Sequence, residues 1–168
     1  MPYEKVGKNE PICIAEGVPF EIPENWEWVR LGSIGDWGSG ATPSRSIPEY
    51  YGGDIPWLKT GDLNDGYIEY IPENISNFAL EKTSVRLNPT GSVLIAMYGA
   101  TIGKVGILTF PATTNQACCA CSPIEIYNEY LFYFLMSQKV EFVKQGEGGA
   151  QPNISKVKIV ATLMPLAP

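Results

Sequence analysis

The sequence predicts a single α+β domain made of many short strands and one main helix, and three observations carry that expectation. Glycine occurs 17 times and proline 14 times in 168 residues, so turns come often and regular elements are short. Short apolar runs bounded by turn residues recur along the chain, as strands do. Helical periodicity appears once, at about residues 128–145. Hydrophobic residues are 45% of the chain, enough for one core at this length.

The elements follow in chain order. Residues 1–21 are polar, acidic and aperiodic, and read as an extension or linker ahead of a folded unit at 22–168. In Pro23-Glu-Asn-Trp-Glu-Trp-Val-Arg-Leu-Gly32, Trp26 and Trp28 are spaced for one face of a strand and read as core anchors. Residues 34–60 alternate apolar side chains with Gly and Pro, and 55–58 is a strand among these loops. Residues 67–71 form the next, with Gly66 supplying the turn after Asp65. Residues 91–98 are the clearest buried strand, entered through the Asn88-Pro-Thr-Gly turn; 104–109 and the cysteine-rich 117–122 follow. Over 128–145, Leu131, Phe134, Leu135 and Val140 recur at helical spacing, with Asn128 as N-cap and Gly146 and Gly148-Gly149 as the stop. A loop and short helix at 149–158 lead into a final strand at 159–165.

Composition narrows the function. Histidine is absent, which removes the commonest general base and the commonest zinc ligand. No apolar run approaches the roughly 20 residues of a membrane helix, and the N-terminus lacks a signal-peptide core, so a cytoplasmic location is expected. Cys118, Cys119 and Cys121 crowd one apolar run and Cys13 stands apart; reduced, buried thiols are expected. The net charge of −6 opposes a nucleic-acid partner. Its distribution softens the objection, since residues 1–30 carry −3 and residues 99–168 carry +1.

No segment is a catalytic signature. Gly38-Ser-Gly40 and Gly99-Ala-Thr-Ile-Gly-Lys104 lack the spacing of a phosphate loop, and Cys118 with Cys121 has no second ligand pair. Loops rich in short polar side chains beside glycine remain. They are Thr42-Pro-Ser44-Arg45, Lys59-Thr60-Gly-Asp62, Tyr98-Gly-Ala-Thr101-Ile-Gly-Lys104, Thr114-Asn115-Gln116 and Gly149-Ala-Gln151-Pro-Asn153. Arg and Lys reach guanine acceptors or phosphates, Asn and Gln pair with adenine, and glycine lets a backbone approach a groove. Each loop alone is an ordinary turn; the combination suits DNA. Two rivals stay open: a sugar-binding module stacking on Trp37, Tyr50, Tyr51 and Trp57, and a hard-metal enzyme using Asp36, Asp54, Asp62 and Asp65.

The ordered succession Ile22-Pro-Glu-Asn-Trp-Glu-Trp-Val-Arg-Leu-Gly32, Gly40-Ala-Thr-Pro-Ser44, Tyr50-Tyr-Gly-Gly-Asp-Ile-Pro-Trp57, Lys59-Thr-Gly-Asp-Leu63, Gly99-Ala-Thr-Ile-Gly-Lys104, Thr114-Asn-Gln-Ala117 and Gly148-Gly-Ala-Gln-Pro-Asn-Ile-Ser155 resembles the target recognition domain of type I restriction-modification specificity subunits. The resemblance runs from about Ile22 to Pro168. It implies an α+β fold with a curved, mostly antiparallel sheet, of the DNA-methylase specificity-domain type. It also implies a non-catalytic reader of one half of a split double-stranded DNA site in a prokaryotic cytoplasm. The implied partners are modification (methyltransferase) subunits, restriction subunits and a second recognition domain. No cofactor is expected on this chain; S-adenosylmethionine, ATP and Mg belong to the partner subunits.

The same resemblance casts Arg45, Lys59, Lys104 and Lys156 as holding the duplex. Thr42, Ser44, Tyr98, Thr101, Asn115, Gln116, Gln151 and Asn153 become base or positioning contacts, with Thr60 and Asp62 completing their loop. Thr114-Asn-Gln and Gly149-Ala-Gln-Pro-Asn recur in the family across different DNA sites, which implies framework and moves the choice of bases toward residues 65–88. Family members continue into a conserved spacer helix that is absent before this sequence ends at Pro168, implying a single recognition domain, as a fragment or a half-sized subunit.

Overall fold

A strand covered on both faces needs an apolar residue at every position, whereas a strand with one wet face alternates. The run Val-Leu-Ile-Ala is of the first kind, and it lies at the centre of the computed structural model, which describes residues 3–4, 8–146 and 152–168. Among these residues the strands are β1 (Tyr3–Glu4), β2 (Ile12–Cys13), β3 (Glu27–Arg30), β4 (Gly35–Ser39), β5 (Tyr51–Leu58), β6 (Gly66–Ile68), β7 (Asn74–Ile75), β8 (Val93–Ala96), β9 (Val105–Leu108), β10 (Thr113–Thr114), β11 (Cys118–Pro123) and β12 (Leu163–Leu166). The helices are α1 (Asn77–Lys82), α2 (Asn128–Ser137), α3 (Lys139–Gly146) and α4 (Lys156–Val160).

A five-stranded sheet in the order β4-β11-β8-β9-β6 forms the body, antiparallel except where β6 joins β9. Beside it stands a three-stranded sheet, β10-β5-β7, in which β10 runs parallel to β5 and β7 antiparallel. The pair β12-β3 ties the end of the chain to its beginning, and β1-β2 is a short ribbon anchored where Arg30 meets Glu4 at 2.8 Å. The mostly antiparallel α+β expectation holds, with several sheets in place of one.

Both faces of the main sheet are covered. Val93, Ile95, Val105, Ile107, Cys119 and Cys121 face a core closed by Leu131, Leu135 and Phe142 of the helices. Leu94, Ala96, Leu108, Cys118 and Ala120 face a second core with Leu58, Leu63, Ile68 and Ile71. A third cluster, Tyr50, Trp57, Ile75, Ala79 and Val85, fills the space between the smaller sheet and α1. This layering explains why 93–96 and 118–121 read as unbroken apolar runs. The small thiols of β11 suit a strand packed from both sides, and burial pushes the Cys119 thiol up to about 11 and the Cys121 thiol up to about 12. Cys13, by contrast, is exposed, so the expectation of four buried thiols holds for three.

Other local expectations change. The main helix is divided: the Gln138 N–H is shared between the Phe134 and Leu135 carbonyls, both at 3.2 Å, and α3 starts afresh at Lys139. Asn128 is the first helical residue, not the cap; its Nδ2 donates to the Gly91 carbonyl at 3.2 Å and so ties α2 to the turn entering β8. Gly66 is not the turn residue. Asp65 takes the left-handed conformation at φ 55°, held by N–H and carboxylate bonds to Val105, while the Asn64 carboxamide caps Gly66 and Tyr67. Trp26 and Trp28 are half-buried, with Trp28 against Phe20 at 5.0 Å, so they edge the fold and are not core anchors. The helix α1, capped by Ser76 Oγ on the Ala79 N–H, had no periodic signal because one turn and a half is too short to show one. Gly148 and Gly149, expected to stop the helix, lie outside the described residues.

Candidate nucleic-acid interface

The registers decide which loops share an end of the molecule. Ser39 pairs with Cys119, Cys118 with Ala96, Ile95 with Val105 and Gly66 with Gly106. The end of β4, the start of β11, the end of β8 and the starts of β9 and β6 therefore lie in one row. The Trp57↔Thr113 and Leu58↔Thr114 pairs bring the end of β5 to the same row through β10. Eleven of the fourteen residues singled out from the sequence sit on the loops leaving this end, and Asn153, on the connection between α3 and α4, joins them through its bridge to Tyr98.

Close backbone approach knits these loops together. Gly40 N–H donates to the Cys118 carbonyl at 3.1 Å, Ala41 N–H to Thr114 at 3.0 Å, and Asn115 N–H to Leu58 at 2.9 Å. A Cβ on Gly40 would lie 2.0 Å from the Thr114 carbonyl oxygen, so only glycine fits this crossing. Beyond it, Thr42 Oγ1 donates to Gln116 Oε1, and the exposed Ser44 Oγ shares a hydrogen bond with Ser46 Oγ at 2.7 Å.

Arg45 and Lys59 meet at a residue that the sequence did not single out. Glu73 lies between them, 2.5 Å from Arg45 Nη1 and 2.9 Å from Lys59 Nζ. The Arg45 guanidinium beside it holds the Glu73 carboxyl below the ordinary glutamate range, and Lys59 adds to this. The guanidinium also lies 4.0 Å over the Tyr51 ring and 5.3 Å from that of Trp57. Lys59 opens a 3-10 turn, Thr60–Asp62, that the Asp62 carboxylate caps by accepting the Lys59 N–H at 2.9 Å. Asp62 thus shapes the loop, and Thr60 begins its turn.

At the other side of the row, the Tyr98 backbone bridges to Asn153, and Gly99 and Ile154 N–H donate to Pro152 and Met97, both at 2.8 Å. Thr101 Oγ1 turns inward to the Tyr98 carbonyl at 3.0 Å. Gly103, at φ 77°, turns the chain back into β9, and Lys104 Nζ reaches the Leu63 carbonyl at 3.4 Å, joining this loop to the Thr60–Asp62 turn.

A family model for the type I restriction modification DNA specificity domain matches residues 23–166. The chain belongs to that family. The MjaIX specificity subunit of Methanocaldococcus jannaschii is 36% identical over 135 residues, covering 77% of this chain and 31% of that protein. The EcoR124I/EcoR124II specificity subunit of Escherichia coli is 29% identical over 147 residues, covering 83% and 36%. This specificity domain therefore spans about a third of the length of these curated relatives. Its fold is similar to the HsdS subunit of Thermoanaerobacter tengcongensis, with a TM-score of 0.71, 22% identity and coverage of 89% of this chain and 35% of that one.

Within the specificity domain the singled-out residues divide. Thr42, Arg45, Lys59, Asn115 and Gln116 are brought into direct or one-residue contact, and Tyr98, Thr101, Lys104 and Asn153 form the adjoining rim. Among the described residues Asn115 Oδ1, which is buried, has no hydrogen-bond partner, and its carboxamide points into the loop. Lys156 is exposed as the first residue of α4, and among the described residues no hydrogen bond or ion pair joins it to the cluster. Gln151 lies outside the described residues. The sugar platform does not form: Trp37, Tyr50 and Trp57 are core residues, and Tyr51 is covered by Arg45. The four aspartates are likewise dispersed, Asp36 on Arg86 at 2.6 Å, Asp54 exposed on β5, Asp62 in its cap and Asp65 against Val105 and 3.6 Å from Lys139.

Glu73 escaped notice because nothing local marks it. It lies 28 residues from Arg45 and 14 from Lys59, and only the β5–β7 pairing, with the Trp57 N–H donating to the Glu73 carbonyl at 2.8 Å, brings them together.

Proposed function

We propose that this specificity domain recognises one half of a split double-stranded DNA site, placing partner modification and restriction subunits on that site and doing no chemistry itself. The supporting observation is the gathering of Thr42, Arg45, Lys59, Tyr98, Lys104 and Gln116 at one end of the sheet. These side chains supply donors and acceptors suited to base edges and phosphates. The relatives' description as specificity subunits of type I restriction enzymes supports the same reading, as does a fold match at TM-score 0.73 and 23% identity, covering 92% of this chain and 38% of the other, to a chain from a study titled as complex assembly and conformational transition of the type I R-M system. S-adenosylmethionine, ATP and Mg then belong to the partners, and the place of action is the prokaryotic cytoplasm. Among the described residues no helix is long and apolar enough to cross a membrane.

The test is a fluorescence titration in low salt with random duplex DNA, with a sugar panel and magnesium in parallel. Saturable DNA binding that weakens as salt rises is expected. Saturable sugar binding with no DNA response overturns the proposal.

A further inference from the structure

An exposed arginine on a loop costs side-chain entropy to hold still, and most do not hold still. Arg45 is fixed from two directions. Its Nη1 is 2.5 Å from Glu73, and its plane lies 4.0 Å over the Tyr51 ring. Both supports are themselves anchored. The Glu73 backbone is bonded to Trp57 at 2.8 Å, its other carboxylate oxygen is 2.9 Å from Lys59, and the Tyr51 hydroxyl donates to the Pro43 carbonyl. Despite this, 57% of the Arg45 side chain is exposed. Among the described residues, no other protein acceptor takes a hydrogen bond from its remaining N–H groups.

A phosphate contact needs only a mobile positive charge. Lysine supplies one, and Lys59 stands beside Arg45. A planar fork clamped by a carboxylate and an aromatic face, with its free edge in solvent, instead matches the two acceptors O6 and N7 of guanine. Resting on the DNA reading above, we infer that Arg45 is a guanine-reading residue and that Glu73 is its positioning residue, setting the orientation of the fork from within the 65–88 stretch. This changes the role of Arg45 from holding the duplex to choosing a base. It also explains how residues 65–88 can influence base choice without touching a base.

The experiment selects bound duplexes from a randomised library with the wild-type chain, Arg45→Lys and Glu73→Gln, and measures the salt dependence of each protein on one selected and one random duplex. Wild type is expected to enrich a motif containing guanine. Arg45→Lys keeps the charge, so it should retain the wild-type salt slope while losing preference at one guanine position by about 5- to 150-fold, the range of one good bidentate pair. Glu73→Gln should blur the same position and, having shed a negative charge, bind random duplex more tightly. Thermal melts of both variants establish that they are folded; both side chains are partly exposed, so the folded state should persist.

An Arg45→Lys chain that enriches the wild-type motif with unchanged stringency overturns the inference. So does a Glu73→Gln chain that loses affinity equally for all sequences. A wild-type chain that binds no duplex overturns the DNA reading itself, and this inference with it.

Discussion

Gly40→Ala is the substitution for which the structure sets the clearest magnitude. The added Cβ would sit 2.0 Å from the Thr114 carbonyl oxygen and 2.3 Å from its hydroxyl, and neither group is free to move away. Thr114 is fully buried, and its carbonyl accepts the Ala41 N–H at 3.0 Å. Relief therefore requires β4 to move from β10, stretching that bond and the Gly40 to Cys118 bond of 3.1 Å. Overpacking at about 1–3 kcal/mol and weakening of two backbone bonds at about 0.5–1.5 kcal/mol each give about 2–6 kcal/mol. For a domain of this size that lowers Tm by about 4–24 °C. Urea unfolding measures it, with an unchanged m-value showing that the unfolded state is not involved. Gly61→Ala is the control: no atom lies within 4 Å of its added Cβ, and it is expected to stay within about 1 kcal/mol of wild type or to be more stable. Equal midpoints for wild type and Gly40→Ala would refute the account of this crossing.

Three further outcomes are expected. Lys59→Ala and Lys104→Ala should each flatten the salt dependence of DNA binding by about one unit per lost phosphate contact, and unchanged slopes would remove both from the interface. Alkylation at pH 8 should modify Cys13 in the native chain and the three β11 thiols only after unfolding, read by intact mass; burial excludes the reagent from all three and raises the pKa of each. Glu73 and Glu4 are held below the ordinary value of 4.5 by Arg45 and Arg30 respectively, so the stability they contribute is present above that pH and is lost as pH falls through the folded-state value. Replacing either by glutamine should flatten the acid limb of the stability profile, measured by urea midpoints between about pH 6 and 3.

The parts legible in the sequence are those whose signal is local. The run Val-Leu-Ile-Ala can only be a buried element, and Asn88-Pro-Thr-Gly sets its entry, with Gly91 at φ 86°. The polar loops were legible for the same reason, since Gly40 and Gly103 mark close crossings and turns without reference to the rest of the chain. Three things were not legible. The split at Gln138 depends on one N–H shared between two carbonyls. The left-handed residue at 65 is Asp and not the adjacent Gly because Val105, forty residues away, bonds both its N–H and its carboxylate. The division of labour at the site depends on Glu73, reached only through the pairing of β5 with β7. Pairing is non-local, and periodicity carries no information about it.

Charge was the strongest argument against DNA, and the geometry changes its meaning. Cations are few at this end of the sheet. Arg45 and Lys59 share Glu73, and Lys104 reaches the Leu63 carbonyl. Even with Lys156 added, about three positive charges are free to release counterions, which corresponds to a salt slope of about −3. On the proposed DNA reading such a domain would hold random DNA weakly, and a larger part of its discrimination would come from base contacts. An assembled enzyme would then take most of its phosphate contacts from other subunits. Glu21, Glu24 and Glu27, which line a cleft beside Trp26 and Trp28, would add repulsion toward a phosphate backbone. A measured slope steeper than about −6 for the isolated chain would require further cations such as Lys139, Lys144 and Lys158, and would move the interface from the row of loops toward the helices.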